Sequence, residues 1–184
     1  MLCSVTKFIA QPLTLWVAFA AFVLLVIGFQ VSRPLVGGVL LDELHGGATV
    51  VNALTAMSTD QLWQHLAVTM GLDFLFPVVY GVLFGGIIIR SFREYSPALL
   101  LPVVILLIAD VLENLSHIAM LIVVLVPVDI NQLSFLAWCK SIVTQSKFSM
   151  LYLTVAIVLL ALLRLSIRGL LALRKHSAAD DPRN

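Results

Sequence analysis

Apolar side chains dominate four long stretches of the chain, roughly Leu13 to Phe29, Leu66 to Ile89, Ala98 to Val126 and Phe148 to Leu163. Each stretch is near or above the roughly 17 to 25 residues that carry a helix across a hydrocarbon core. The pattern predicts four membrane-spanning helices at about 12–31, 62–90, 97–126 and 143–169, with a polar tail at about 170–184. No internal repeat or low-complexity linker interrupts the pattern, so residues 1–184 are expected to form a single all-α domain, an integral membrane four-helix bundle. The short connection from Arg90 to about Pro97 makes the second and third spans antiparallel neighbours. The longer connection between spans 1 and 2, Ser32 to Gln64, carries the apolar piece VVNALTAM and then Ser58 and Gln61 at capping-box spacing. It reads either as a short surface helix serving as a lid or as a plain connector.

Composition agrees with this pattern and excludes a soluble globular chain: 61% of residues are hydrophobic and only 11% charged. Orientation comes from the basic residues. Lys7, Arg90, Arg93, Arg164, Arg168, Arg174, Lys175 and Arg183 fall on one side of the expected spans, whereas Arg33 and Lys140 fall in the opposite loops. Basic flanks mark the cytoplasmic face, so both termini are expected there, in the cytoplasmic (inner) membrane of a bacterium. A net charge of +1 made of such flanks gives no reason to expect a nucleic-acid partner. The first run could serve as a cleaved signal. Its apolar core is longer than the ~7 to 15 residues of such a segment, however, and no small-x-small site follows, so it is expected to stay as an anchor. Cys3 and Cys139 fall on opposite sides of the expected membrane and predict no disulfide.

The apolar rule breaks inside the spans. Asp110, Glu113, Asn114 and His117 have i, i+3, i+4, i+7 spacing, which places all four on one stripe of span 3. Span 2 carries Thr69, Asp73, Pro77 and Tyr80 on a similar stripe. Proline lacks an N–H, so Pro77 leaves the Asp73 carbonyl without its helical donor and adds a free acceptor beside a carboxylate. Span 4 adds Lys147, with Leu151 and Thr154 on its face. At ~1.5 Å per residue most of these groups lie at overlapping depths in the outer half of the bilayer, with Asp110 nearer its middle. An isolated charge costs at least ~2.5 to 3.5 kcal/mol at a helix centre, so the groups should face inward and pair. Lys147 is expected to neutralise one or two of Asp73, Glu113 and Asp110. One lysine does not balance three carboxylates, which leaves a protonated His117, a protonated carboxyl or a bound cation to complete the balance.

These residues suit acid/base work: Asp73, Glu113, His117 and Lys147 are the candidate proton-transfer groups, with Tyr80, Asp110, Asn114 and Thr154 lining a ligand. Polar residues can also merely join helices, at ~0.6 kcal/mol per interhelical hydrogen bond, but Ser, Thr or Asn would do that with less charge. A metal site from Glu113, His117 and Asp73 fits helical spacing, yet the Lys147 ammonium would repel a dication, so no metal or other cofactor is expected. No zinc-protease, nucleophile-elbow, P-loop or dinucleotide signature is present. Gly81 and Gly85 form a GxxxG that lets a neighbouring helix approach closely. Trp16, Trp63 and Trp138 lie near expected interfaces, as belt residues do.

The run LDFLFPVVYG, followed by ADVLENLSH and a lysine early in span 4, resembles a group of small, largely uncharacterised four-helix bacterial membrane proteins. The resemblance covers roughly Leu66 to Leu163 and rests on Asp73, Pro77, Tyr80, Asp110, Glu113, Asn114 and Lys147. It implies the four-helix fold but brings no established activity. In helix number and inward acids the chain is also distantly similar to emopamil-binding and sigma-2-receptor type proteins, without a residue-by-residue match. The leading expectation is a pocket that binds, or moves a proton on, a small or lipid-like amphiphile. The alternatives are a non-enzymatic assembly or accessory subunit whose cluster fixes helix register, and a proton- or ion-coupled carrier. Whether the protein is an enzyme stays open among these readings. Membrane lipid is the expected surrounding partner, with room for an oligomer or a protein partner.

Overall fold

The computed structural model describes residues 2–92, 96–126 and 130–179, and among these residues every regular element is helical. Arg93, Pro127 and Arg183 lie outside the described residues, and so do the side chains of Cys3, Arg174 and Lys175. Seven α-helices follow in order: α1 Leu2–Ile9, α2 Pro12–Ser32, α3 Gly47–Ala56, α4 Thr59–Val68, α5 Phe74–Ser91, α6 Ser96–Leu125 and α7 Ile130–Ala179. A 3-10 turn, Leu41–Glu43, lies between α2 and α3, and a π-helical turn, Thr69–Asp73, joins α4 to α5. Four segments are long and apolar enough to cross a membrane: Pro12–Ser32, Thr59–Ser91, Pro97–Leu125 and Gln132–Ala172. They make the chain a multi-pass membrane protein in outline.

Local chemistry explains the boundaries. Pro12 opens α2 at a position where its missing N–H costs nothing. Ser58 and Gln61 form the expected reciprocal box, with the Ser58 amide donating to Gln61 Oε1 at 2.9 Å and the Gln61 amide to Ser58 Oγ at 3.3 Å. The π turn lies just before the proline of α5. It inserts an extra residue per turn where Pro77 already weakens the helical ladder.

The fourth span differs from the expectation. Its helix begins at Ile130 rather than near 143 and continues past 169, to Ala179. Residues 130–147 are too polar to register as an apolar run, yet one face packs against α3 and α6. Leu133 and Ala137 are buried with Val50 and Leu54 of α3 and Met120 and Leu121 of α6. Tertiary burial of a narrow stripe sustains this half of the helix, where mean hydropathy could not. Cys139, expected in a loop, lies on the helix as a free, partly buried thiol.

Helices α5, α6 and α7 pack mutually, and α2 leans on α5. Ala18 is the one buried residue of α2, while Leu13, Trp16, Leu24 and Ile27 are exposed, as befits a helix facing lipid. Close approach depends on glycine at two places. A Cβ on Gly81 would lie 3.0 Å from the Leu107 side chain of α6. A Cβ on Gly86 would overlap the Ile9 carbonyl oxygen and Leu15, so glycine there lets the α1–α2 corner rest on α5.

Candidate functional site

Three ionisable residues expected from sequence meet as drawn. Lys147 Nζ on α7 lies 2.6 Å from Asp110 Oδ1 and 2.6 Å from Glu113 Oε2, both on α6. Tyr80 on α5 donates its hydroxyl proton to the other oxygen of Asp110. Thr144, nearly one turn before Lys147, donates to Glu113 Oε1. Each step is a charge-assisted hydrogen bond among groups that are buried or nearly so. A continuous polar chain thus runs from Tyr80 through Asp110, Lys147 and Glu113 to Thr144, crossing three helices.

Asn114 uses its side-chain amide differently. Its Nδ2 donates to the Asp73 carbonyl at 2.8 Å, the acceptor that Pro77 leaves without a helical donor. The vacated acceptor in one helix is therefore satisfied by the next, and the α5–α6 register is pinned at the height of the cluster.

Of the three carboxylates offered to Lys147, Asp73 is the one that makes no ion pair with it among the described residues. The carboxylates on Lys147 come from α6 and, unforeseen, from the connection after α2. Asp42, in the 3-10 turn, accepts from Lys147 Nζ at 3.0 Å and lies 3.4 Å from His117 Nδ1. Burial pushes the Asp42 carboxyl up, but the Lys147 ammonium, followed by His117, outweighs it and holds the group below the ordinary carboxylate value. No sequence spacing pointed to Asp42, because a loop carries no periodicity.

Lys140 is the second residue missed. Read as a loop cation, it is fully buried on α7. Its Nζ donates to the Leu41 carbonyl at 2.9 Å and the Leu44 carbonyl at 2.8 Å, and lies 3.6 Å from Glu113 Oε1. Those two carbonyls bracket Asp42, so Lys140 holds the turn that delivers the carboxylate. The signal was available in part: Lys140, Thr144 and Lys147 have i, i+4, i+7 spacing, but the low hydropathy of the stretch concealed the helix. His65 adds a further tie between α4 and the same connection, with Nε2 3.0 Å from the Val36 carbonyl oxygen.

The cluster gains one carboxylate, Asp42, and one ammonium, Lys140, so its excess of negative charge stays the same. Asp42, Asp73, Asp110 and Glu113 face two ammonium groups rather than one, which leaves an excess of two negative charges if all carboxyls ionise. His117 is fully buried, and neither ring nitrogen has a hydrogen-bond partner. Asp42, Glu113 and His117 bring one potential ligand atom each to within 4.8 Å of the others, a spacing that could hold a metal ion. Lys147 already bonds both of those carboxylates, and Lys140 flanks Glu113, so a dication there would meet two ammonium groups. Thr154 is buried farther along α7 with an unpartnered hydroxyl, and none of the cluster's bonds reach it.

A cavity of about 230 Å³ opens beside the cluster. Asp42, Asp73, Lys147 and Arg33 are among its polar lining, and Val26, Phe29 and Phe76 among its apolar lining. Phe29 and Phe76 meet edge to face at 5.5 Å, and Phe76 meets Tyr80 at 5.4 Å, so the aromatic lining continues into the ring that contacts Asp110. Arg33 pairs with Glu43 at the rim, where the connection crosses over the cavity. Searches against protein-family models, curated proteins and solved structures find no match to this chain.

Proposed function

We propose that the cluster and its cavity form a site that binds a small or lipid-like amphiphile and can move a proton on it, in a four-helix protein of the bacterial inner membrane. One observation carries this reading: a single cavity is lined by carboxylates and an ammonium together with aliphatic and aromatic side chains. A ligand with a polar head and an apolar body matches that mixed lining. Asp73 lines that space, and among the described residues no ion pair holds it. A carboxyl placed in this way can exchange a proton with a bound ligand. Orientation with both termini in the cytoplasm is supported by Arg90, Arg164 and Arg168 gathering at the end of α5, and by Lys140 no longer counting as an outer-loop cation.

Native mass spectrometry of the protein extracted in mild detergent tests the reading. A discrete amphiphile should accompany the wild type and be lost from Glu113→Gln and Asp73→Asn. Bulk phospholipid alone, unchanged by either substitution, would remove the proposal.

The dense pairing of Glu113, which accepts from Thr144 and Lys147 and lies close to Lys140, favours a second reading, in which the cluster only fixes helix register in an accessory subunit. Exchanging Glu113 and Lys147 tells the two apart. Recovery of both folding and cellular function in the double exchange supports register alone, whereas recovery of folding without function supports the site.

A further inference from the structure

At the other end of the bundle from the charged cluster lies a second cavity of about 570 Å³, an open groove between α2, α5 and α7. Leu15 and Phe22 of α2, Phe84 and Ile87 of α5 and Leu162 of α7 make it apolar, and Arg90 stands at its mouth. The groove follows α2 from Pro12 to Phe22, roughly 15 Å at the helical rise. That length equals the depth of one leaflet in a hydrocarbon core about 30 Å thick.

The same end of the bundle gathers basic residues. Arg90 uses one guanidinium nitrogen on the Ala10 carbonyl at 3.2 Å, which fixes its position. Arg164 stacks over Phe92 at 4.9 Å, and Arg168 donates to the Ser91 carbonyl at 3.3 Å, so three guanidinium groups surround the last turn of α5. No carboxylate pairs with any of them among the described residues. Three guanidinium groups that no described carboxylate pairs, at the end of a leaflet-deep apolar groove, are complementary to one occupant, a molecule with an anionic phosphate and a long hydrocarbon chain.

We propose that this groove is a specific binding site for an anionic glycerophospholipid, with one acyl chain along α5 and the phosphate held by Arg90 and Arg168. The site is independent of the polar cluster: Asp73 and Arg90 lie roughly 25 Å apart along the π turn and α5. The groove selects by headgroup charge, and its shape separates bound lipid from the surrounding annulus.

The test uses full-length protein in mixed micelles containing equal amounts of phosphatidylglycerol and phosphatidylcholine of the same chain length, with retained lipid counted by native mass spectrometry. Wild type should retain phosphatidylglycerol over phosphatidylcholine by at least about fivefold, the value of one well-placed arginine. Arg90→Gln with Arg168→Gln should bring the ratio to parity. Leu162→Trp, which leaves the arginines intact but fills the groove, should lower retention of phosphatidylglycerol by a similar factor. Arg90→Lys keeps the charge without the guanidinium fork and should weaken the preference without abolishing it, so the outcome does not depend on a variant that fails to fold. Equal retention of the two lipids by wild type overturns the proposal. So does full retention by Leu162→Trp, since binding would then need only the basic rim.

Discussion

Replacing Lys140 by Met tests whether one buried ammonium positions the Asp42 carboxylate. Methionine fills a similar volume but removes the donor from two carbonyls, at 2.9 Å from Leu41 and 2.8 Å from Leu44, and the second cation from Glu113 at 3.6 Å. Hydrogen bonds to a charged group contribute about 1.5 to 3 kcal/mol each. Their sum overstates the loss, because the turn can swing outward and hydrate its carbonyls. A net weakening of turn docking by about 3 kcal/mol is therefore expected, which is more than a hundredfold in the local opening equilibrium. Amide hydrogen exchange followed by mass spectrometry measures that equilibrium directly. A peptide spanning Gly38 to His45 should lose about a hundredfold protection, while peptides from α5 and the middle of α6 change little. Exchange of the turn within twofold of wild type would refute the positioning role. A uniform rise across all helices would refute it too, by showing that Lys140 supports the bundle and not the turn.

The remaining predictions concern the same framework. Because the fold holds the Asp42 carboxyl below its ordinary value, ionised Asp42 stabilises the docked turn fully above the unfolded pKa, and that contribution is lost as pH falls through the folded value. Thermal stability in detergent, measured from pH 6 down to 3, should decline in wild type, and the decline should flatten in Asp42→Asn. Lys147, His117 and Lys140 face Asp42, and so do the carboxyls of Asp73, Asp110 and Glu113; because these groups are present in both proteins, the difference between wild type and Asp42→Asn isolates the contribution of Asp42. Asn114→Leu leaves the Asp73 carbonyl without its donor and should cost about 1 to 3 kcal/mol in unfolding experiments. Adding Pro77→Ala, which restores a backbone N–H, should recover part of that loss, and strict additivity of the two substitutions would argue against the link. Gly86→Ala places a methyl group against the Ile9 carbonyl and should cost about 1 to 3 kcal/mol in thermal unfolding, whereas Gly71→Ala, with open space around its Cβ, should cost less.

Sequence periodicity alone determined four long apolar helices and the stripe of Asp110, Glu113, Asn114 and His117, since both follow from 3.6-residue geometry and the exclusion of charge from hydrocarbon. The pairing of Lys147 with Asp110 and Glu113, and the acceptor left by Pro77, were legible for the same reason: burial demands a partner, and few partners exist in such a chain. The position of Asp42 was not legible. It sits in a turn held by Lys140, and a turn has no repeating spacing that a distant helix could match. Lys140 itself was hidden because hydropathy averages a helix over all its faces, whereas packing acts on one. Tertiary contact with α3 and α6 sustains the polar half of α7 and carries Lys140 inward to Glu113. The tertiary structure also decided which of the three candidate carboxylates Lys147 takes: Asp110 and Glu113 pair with it, Asp42 joins them from the turn, and Asp73 lines the adjacent cavity.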